Sequence, residues 1–175
     1  MTNFFSGFSL QNELYLFEPY LKKSDFCVAG FSYGAIKACQ YTAELLRKGK
    51  RVDTLQLFSP AFFQTKEEKF KRLQLMSYKK NRGQYMKNFL ASCFEPYESK
   101  IVELNNTDDA DDLKMLLEYE WDLELLSWIA AKGVSIEVYL GFEDAIIDPV
   151  GAYKFFKQVA NVTIIKKANH FLQIQ

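Results

Sequence analysis

Hydrophobic positions along this chain follow two rhythms. A short apolar run marks a strand over residues 25–29, Val52 to Phe58 reads as a second, buried strand, and Val134 to Leu140 and Asn161 to Ile165 read as two more. Between them, apolar residues return at helical spacing. Leu10, Leu14, Phe17 and Leu21 predict a helix within 10–22. A second helix is expected over 34–48, stopped by Lys48-Gly49, and a third from Pro149 to Val159, with Tyr153, Phe155 and Phe156 on its apolar side. Asn3-Phe4-Phe5 is a short apolar start closed by Ser6-Gly7. Alternating strands and helices imply a parallel α/β sheet. From Phe62 to about Trp128 the strand signal stops, and the chain reads as helical and strongly charged. The expected organisation is one α/β domain over 1–175, with a helical insertion at about 62–130 between two of its strands.

Composition narrows the class. A chain of 175 residues with 49% hydrophobic content can bury a sizeable core. Its 16 Phe and 10 Tyr fill a core efficiently and also suit an apolar pocket. The formal net charge is zero, which argues against nucleic-acid binding by overall charge. Cys27, Cys39 and Cys93 have no metal-like spacing and read as buried thiols in a reducing compartment. No apolar run reaches the roughly 18 residues of a membrane span. No basic stretch leads a long apolar one, so no signal peptide is expected and the cytoplasm is the expected location.

The candidate chemistry begins at Gly30-Phe31-Ser32-Tyr33-Gly34, which follows a strand and opens a helix. Strand, Gly-x-Ser-x-Gly, helix is the layout of a nucleophile elbow, where a tight turn pushes a serine hydroxyl out over the sheet. A serine hydroxyl needs a base, and the base an orienting acid. The chain has a single histidine, His170, so a histidine-activated Ser32 must use it. The loop after the Val134 to Leu140 strand offers Glu143, Asp144 and Asp148 as the acid. Asp144 is favoured. Asp148 is the alternative, although it directly precedes Pro149 at a helix start and fits an N-cap. Two backbone N–H groups must receive the oxyanion. Tyr33, which follows the nucleophile, is one candidate. Phe8, after Ser6-Gly7, is the other.

These stretches together resemble the α/β-hydrolase superfamily and, within it, the pimeloyl-acyl-carrier-protein methyl ester esterases of biotin synthesis, most closely the short BioV type. Phe5-Ser6-Gly7-Phe8-Ser9-Leu10 resembles the oxyanion loop, with Ser6 where a histidine is common. Phe58-Ser59-Pro60-Ala61-Phe62-Phe63 resembles the passage into the lid. Tyr139-Leu140-Gly141-Phe142-Glu143-Asp144 resembles the Gly-x-x-Asp acid loop, and Lys167-Ala168-Asn169-His170-Phe171 the histidine loop. The resemblance implies a minimal α/β-hydrolase fold with a helical lid. It also implies a Ser32, Asp144, His170 triad that needs no metal or organic cofactor. The substrate it implies is the methyl ester of a pimeloyl chain on acyl carrier protein. The chain departs from the family by starting at what is usually the third strand and by having only five residues after His170. About five strands are therefore expected, with little to hold the histidine loop.

Charge is unevenly placed. Lys66, Lys69, Lys71, Arg72, Lys79, Lys80, Arg82 and Lys87 crowd the stretch from Phe62 to Asn88, while Glu95 to Glu124 is rich in acid. Two solvated helical faces account for this in the plainest way. The functional reading is a basic docking surface, Lys66 to Arg82, for the acidic acyl carrier protein. Phe70, Tyr78, Tyr85 and Phe89 interleave with it, as suits a lid over an apolar tunnel. Two other function classes remain: a thioesterase or acyltransferase on the same triad, and a non-catalytic interaction protein with a hydrolase fold.

Overall fold

The computed structural model describes residues 2–175. Its main sheet has five strands, β1 (Asn3–Phe5), β3 (Cys27–Phe31), β4 (Thr54–Phe58), β6 (Ser135–Gly141) and β7 (Asn161–Ile165), all parallel and in that spatial order. A two-stranded antiparallel ribbon pairs β2 (Leu10–Gln11) with β5 (Glu103–Leu104). The helices are α1 (Tyr33–Arg47), α2 (Glu68–Lys80), α3 (Arg82–Phe94), α4 (Ala110–Glu118), α5 (Leu123–Ala131) and α6 (Pro149–Phe156). The helices α2 to α5 lie in sequence between β4 and β6, and β5 lies among them, so the stretch from Phe62 to Trp128 that reads as helical also holds a two-residue strand, formed by its long-range pairing with β2. Among the described residues, no helix is long and apolar enough to cross a membrane.

β3 and β4 are buried at every position, as parallel strands covered on two sides must be, whereas β6 alternates and β7 lies at the edge of the sheet with no residue fully buried. Val28, Leu55 and Leu57 face one core, against Ala35, Ile36, Ala38 and Cys39 of α1, Leu126 and Ile129 of α5, and Phe156 of α6. Their neighbours Ala29, Phe31 and Phe58 face a second core. That second face is covered by Phe17, by Cys93 and Phe94 at the end of α3, and by Phe171 and Leu172 near the C-terminus. The rings of Phe17 and Phe58 stack at 5.0 Å, and Phe171 lies 4.9 Å from Phe31 and 4.5 Å from Phe94. Aromatic area thus does on this side what regular helices do on the other.

One expected element takes a different form. Residues 10–22 hold β2 and a five-residue 3-10 helix, Glu13–Phe17, instead of a longer helix. Ser9 and Asn12 have φ of 52° and 61°, and these left-handed positions break the helical path. The apolar spacing survives because Leu10 and Phe17 still point to the same core.

Candidate active site

Parallel strands put their carboxyl ends along one edge, where loops gather and sites form. The loops after β1, β3, β6 and β7 bring Phe8, Ser32, Asp144 and His170 to that edge. Ser32 lies between β3 and α1 at φ 52°, ψ −114°, a strained conformation for a residue with a side chain. The turn closes only with glycine on both sides. A Cβ on Gly30 would stand 2.2 Å from the Gly34 carbonyl oxygen, and one on Gly34 would stand 2.0 Å from that of Phe5.

His170 is fully buried and joins the other two groups. Its Nδ1 is 2.6 Å from Asp144 Oδ2, and its Nε2 is 3.0 Å from Ser32 Oγ. A carboxylate only accepts, so Nδ1 carries the proton and Nε2 is left to accept from the serine hydroxyl. Asp144 is itself fixed, since its Oδ1 accepts from the Ile146 and Ile147 N–H groups at 2.8 and 3.1 Å. Asp148 lies outside this chain of bonds. It caps α6 by accepting from Gly151 N–H at 2.9 Å and also accepts from the Thr65 hydroxyl at 2.9 Å. Burial works against its charge, but these bonds prevail and hold its carboxyl below the usual value.

The two expected oxyanion donors have no acceptor among the described residues. Tyr33 N–H is in the first position of α1, where no intrahelical partner exists. Phe8 N–H lies between two occupied amides: Gly7 N–H donates to Glu13 Oε1 at 2.8 Å, and Ser9 N–H donates to Asp108 Oδ2 at 2.6 Å. Neither Glu13 nor Asp108 stands out from the sequence, because nothing local marks a carboxylate that bonds a distant loop.

Beside Ser32 is a cavity of about 610 Å³. Its buried lining includes Phe8, Phe63, Leu113, Leu116 and Leu117, and its exposed lining includes Lys80, Gln84 and Asn88. Phe70, Tyr85 and Phe89 of the insertion also line it, whereas Tyr78 packs behind Phe8 at 5.9 Å.

Two of the basic residues do not face outward. Lys71 is buried, with its ammonium 3.0 Å from Glu68. Arg82 is committed internally, donating to Tyr78 Oη at 2.8 Å, Asn106 Oδ1 at 2.5 Å, Asn105 O at 3.0 Å and Ser9 Oγ at 3.3 Å. Lys69, Arg72, Lys79 and Lys80 are exposed, and Lys66 is half-buried. The cysteines are all free and buried. Burial pushes the Cys27 thiol up to about 11 and that of Cys39 up to about 12, so neither is poised to react.

No family model and no curated protein matches this chain. Solved structures do resemble it. A hydrolase from Oleispira antarctica superposes with a TM-score of 0.72 at 15% identity, over 99% of this chain and 85% of that one. The fold is a minimal α/β-hydrolase fold. BioG from Haemophilus influenzae aligns over 98% of this chain and 88% of its own, with a TM-score of 0.57 and 11% identity. Carboxylesterase CesB from Bacillus subtilis aligns over 85% of this chain with a TM-score of 0.56 and 16% identity. The chain covers 54% of CesB, so it spans about half the length of the Bacillus hydrolases it resembles. At these identities the likeness is one of fold. Within that fold, Asn169 is a residue that sequence reasoning passes over. Its side chain donates to Phe94 O at 2.8 Å and accepts from the N–H groups of Phe171 and Gln173 at 3.0 Å each, tying the histidine loop to the end of α3.

Proposed function

We propose that this protein is a serine carboxylesterase whose catalytic groups are Ser32, His170 and Asp144. The observation that carries this reading is the continuous bond chain from Asp144 through His170 to Ser32 beside an apolar cavity. Ser32 Oγ attacks the ester carbonyl while His170 Nε2 takes its proton. The Phe8 and Tyr33 N–H groups receive the oxyanion. His170 then gives its proton to the departing alkoxide, and an acyl group stays on Ser32. A water loses its proton to His170, attacks that acyl carbonyl and releases the free acid, and Ser32 recovers the proton. Asp144 holds the imidazole in its reactive tautomer and stabilises the imidazolium.

The proposed substrate is pimeloyl-[acyl-carrier protein] methyl ester, hydrolysed to the free carboxylate and methanol in biotin synthesis. Three features support it: the sequence resemblance described above, the fold shared with BioG, and the apolar cavity lined by residues of the insertion. In this reading the insertion is a lid. The exposed Lys69, Arg72, Lys79 and Lys80, with Lys66, form the docking face for the acidic carrier. The carrier thioester remains intact because the docked carrier keeps it away from Ser32.

Incubation with pimeloyl-carrier methyl ester tests both levels. Methanol release with the carrier thioester retained is expected, and Ser32→Ala should lose at least about 10³-fold in rate with its fold intact. Release of carrier thiol instead would refute the substrate assignment. Full p-nitrophenyl esterase activity in Ser32→Ala would refute the serine mechanism.

A further inference from the structure

The loop after β1 is held from two directions. Gly7 N–H donates to Glu13, a wholly buried carboxylate of the same loop region, at 2.8 Å. Ser9 N–H donates to Asp108, which belongs to the insertion between β5 and α4, at 2.6 Å. Phe8 lies between them, lines the cavity with Ser32, and has no acceptor for its N–H among the described residues. Pinning the amides on both sides fixes the peptide plane between them, and with it the direction of the Phe8 N–H. Ser9 sits at φ 52°, a conformation that a non-glycine residue keeps only where its surroundings impose it.

The insertion supplies most of those surroundings. Asn105 N–H donates to Ser9 O at 2.9 Å, and its side-chain Nδ2 donates to Leu10 O at 2.9 Å. Arg82 bonds both Ser9 Oγ and Asn105 O. The second oxygen of Asp108 faces Lys37 Nζ at 3.4 Å, on the helix that begins beside Ser32. Asp108 therefore touches three pieces at once: the insertion, the loop that presents Phe8, and the helix of the nucleophile. A carboxylate near a developing negative charge opposes it. Lys37 offsets that charge, and what remains useful is the acceptor itself.

We propose that Asp108 is a positioning residue that aims the Phe8 N–H at the oxyanion, making the insertion part of the ester-cleaving machinery as well as its cover. This rests on the serine-esterase reading above. The Lys37 side chain is 38% exposed, and its ammonium also lies over the Tyr33 ring, 4.1 Å from the centroid, so it is not left buried and unpaired without the Asp108 charge. Asp108→Asn, which keeps an acceptor for Ser9 N–H, therefore preserves the geometry, whereas Asp108→Ala does not.

The test measures kcat and KM on p-nitrophenyl butyrate, together with inhibition by a trifluoromethyl ketone whose adduct with Ser32 carries an oxyanion. Losing an oxyanion donor outright costs about 10²–10³ in kcat, so misaiming one in Asp108→Ala should cost about 10–100-fold. KM should stay within about two-fold, and ketone affinity should fall by about the same factor as kcat. Asp108→Asn should stay within about three-fold of the parent in both. Arg82→Met should show the same paired loss at a smaller size, and it serves as the reading should Asp108→Ala fail to fold. Unchanged kcat and ketone affinity in a folded Asp108→Ala would overturn the proposal, as would a loss of kcat with ketone affinity retained. If Asp108→Ala does not fold, unchanged values in Arg82→Met overturn it equally. A parent protein that neither cleaves the ester nor binds the ketone would instead remove the esterase reading beneath it.

Discussion

Single residues divide here into those that form bonds across the site and those that merely sit near it. Asp144 and Asp148 are four positions apart in one loop, and sequence leaves both open as the acid. Geometry separates them, since only Asp144 reaches His170, at 2.6 Å, while Asp148 caps α6. Asp144→Asn should lower kcat about 10⁴-fold, because an amide turns the imidazole toward the wrong tautomer. Asn caps a helix as well as Asp does, so Asp148→Asn should change kcat less than about three-fold and stability by only a few tenths of a kcal/mol. Steady-state kinetics on both variants check this, and comparable losses would reassign the acid. Glu13 offers a second test at this scale. Burial raises its pKa above the ordinary 4.5, while the bond from Gly7 N–H pulls the other way. A carboxyl whose folded pKa is raised favours the folded state below its ordinary pKa. That advantage is lost as pH rises through the folded value. Glu13→Gln keeps an acceptor for Gly7 and carries no charge. Its Tm should exceed the parent's at pH 8, by about 2–4 °C per kcal/mol recovered, and the gap should narrow as pH falls below the folded pKa. Melting curves from pH 8 down to pH 4 provide the check, and a gap that widens toward acid would contradict it.

At the scale of elements, the strands and the elbow were legible because their signals are local. The run at 25–29 becomes β3 two residues later, at Cys27–Phe31, because Gly30 and Phe31 continue the ladder against Leu57 and Phe58. The last strand falls at Asn161–Ile165, where the sequence reading places it. Residues 10–22 mislead because their spacing reports which side faces the core, while the backbone path depends on Ser9 and Asn12. The basic stretch was legible as charge but not as surface. α2 turns Lys69 and Arg72 outward and buries Lys71, and Arg82 of α3 turns inward to Tyr78 and Asn105. The pair Lys69→Glu and Arg72→Glu should therefore lower kcat/KM for the carrier-borne ester at least about tenfold more than for p-nitrophenyl butyrate, with the difference shrinking as salt rises. Equal losses on the two substrates would remove α2 from the docking face.

For the whole molecule, the question is what steadies His170 on its loop beyond β7, the last strand of the sheet. The structure answers with long-range contacts that no local pattern encodes. Phe171 packs into the second core between Phe31 and Phe94, and Gln173 donates to Glu98 O at 3.1 Å. Asn169 links the end of α3 to the backbone on the far side of His170. The insertion thus holds the site from two sides, through Asp108 on the Phe8 loop and through Phe94 on the histidine loop. Removing the second attachment has a definite consequence. Asn169→Ala leaves Phe94 O and the N–H groups of Phe171 and Gln173 without their buried partner, at a cost of about 2–4 kcal/mol. Tm should fall by about 5–15 °C. Because the loop that carries His170 loosens while the cavity lining is untouched, kcat measured well below that Tm should drop at least about tenfold with little change in KM. Thermal melts and kinetics at 25 °C read the two effects separately. A variant that melts earlier yet keeps its kcat would mean that Phe171 packing and the Asp144 bond hold His170 without help from the insertion.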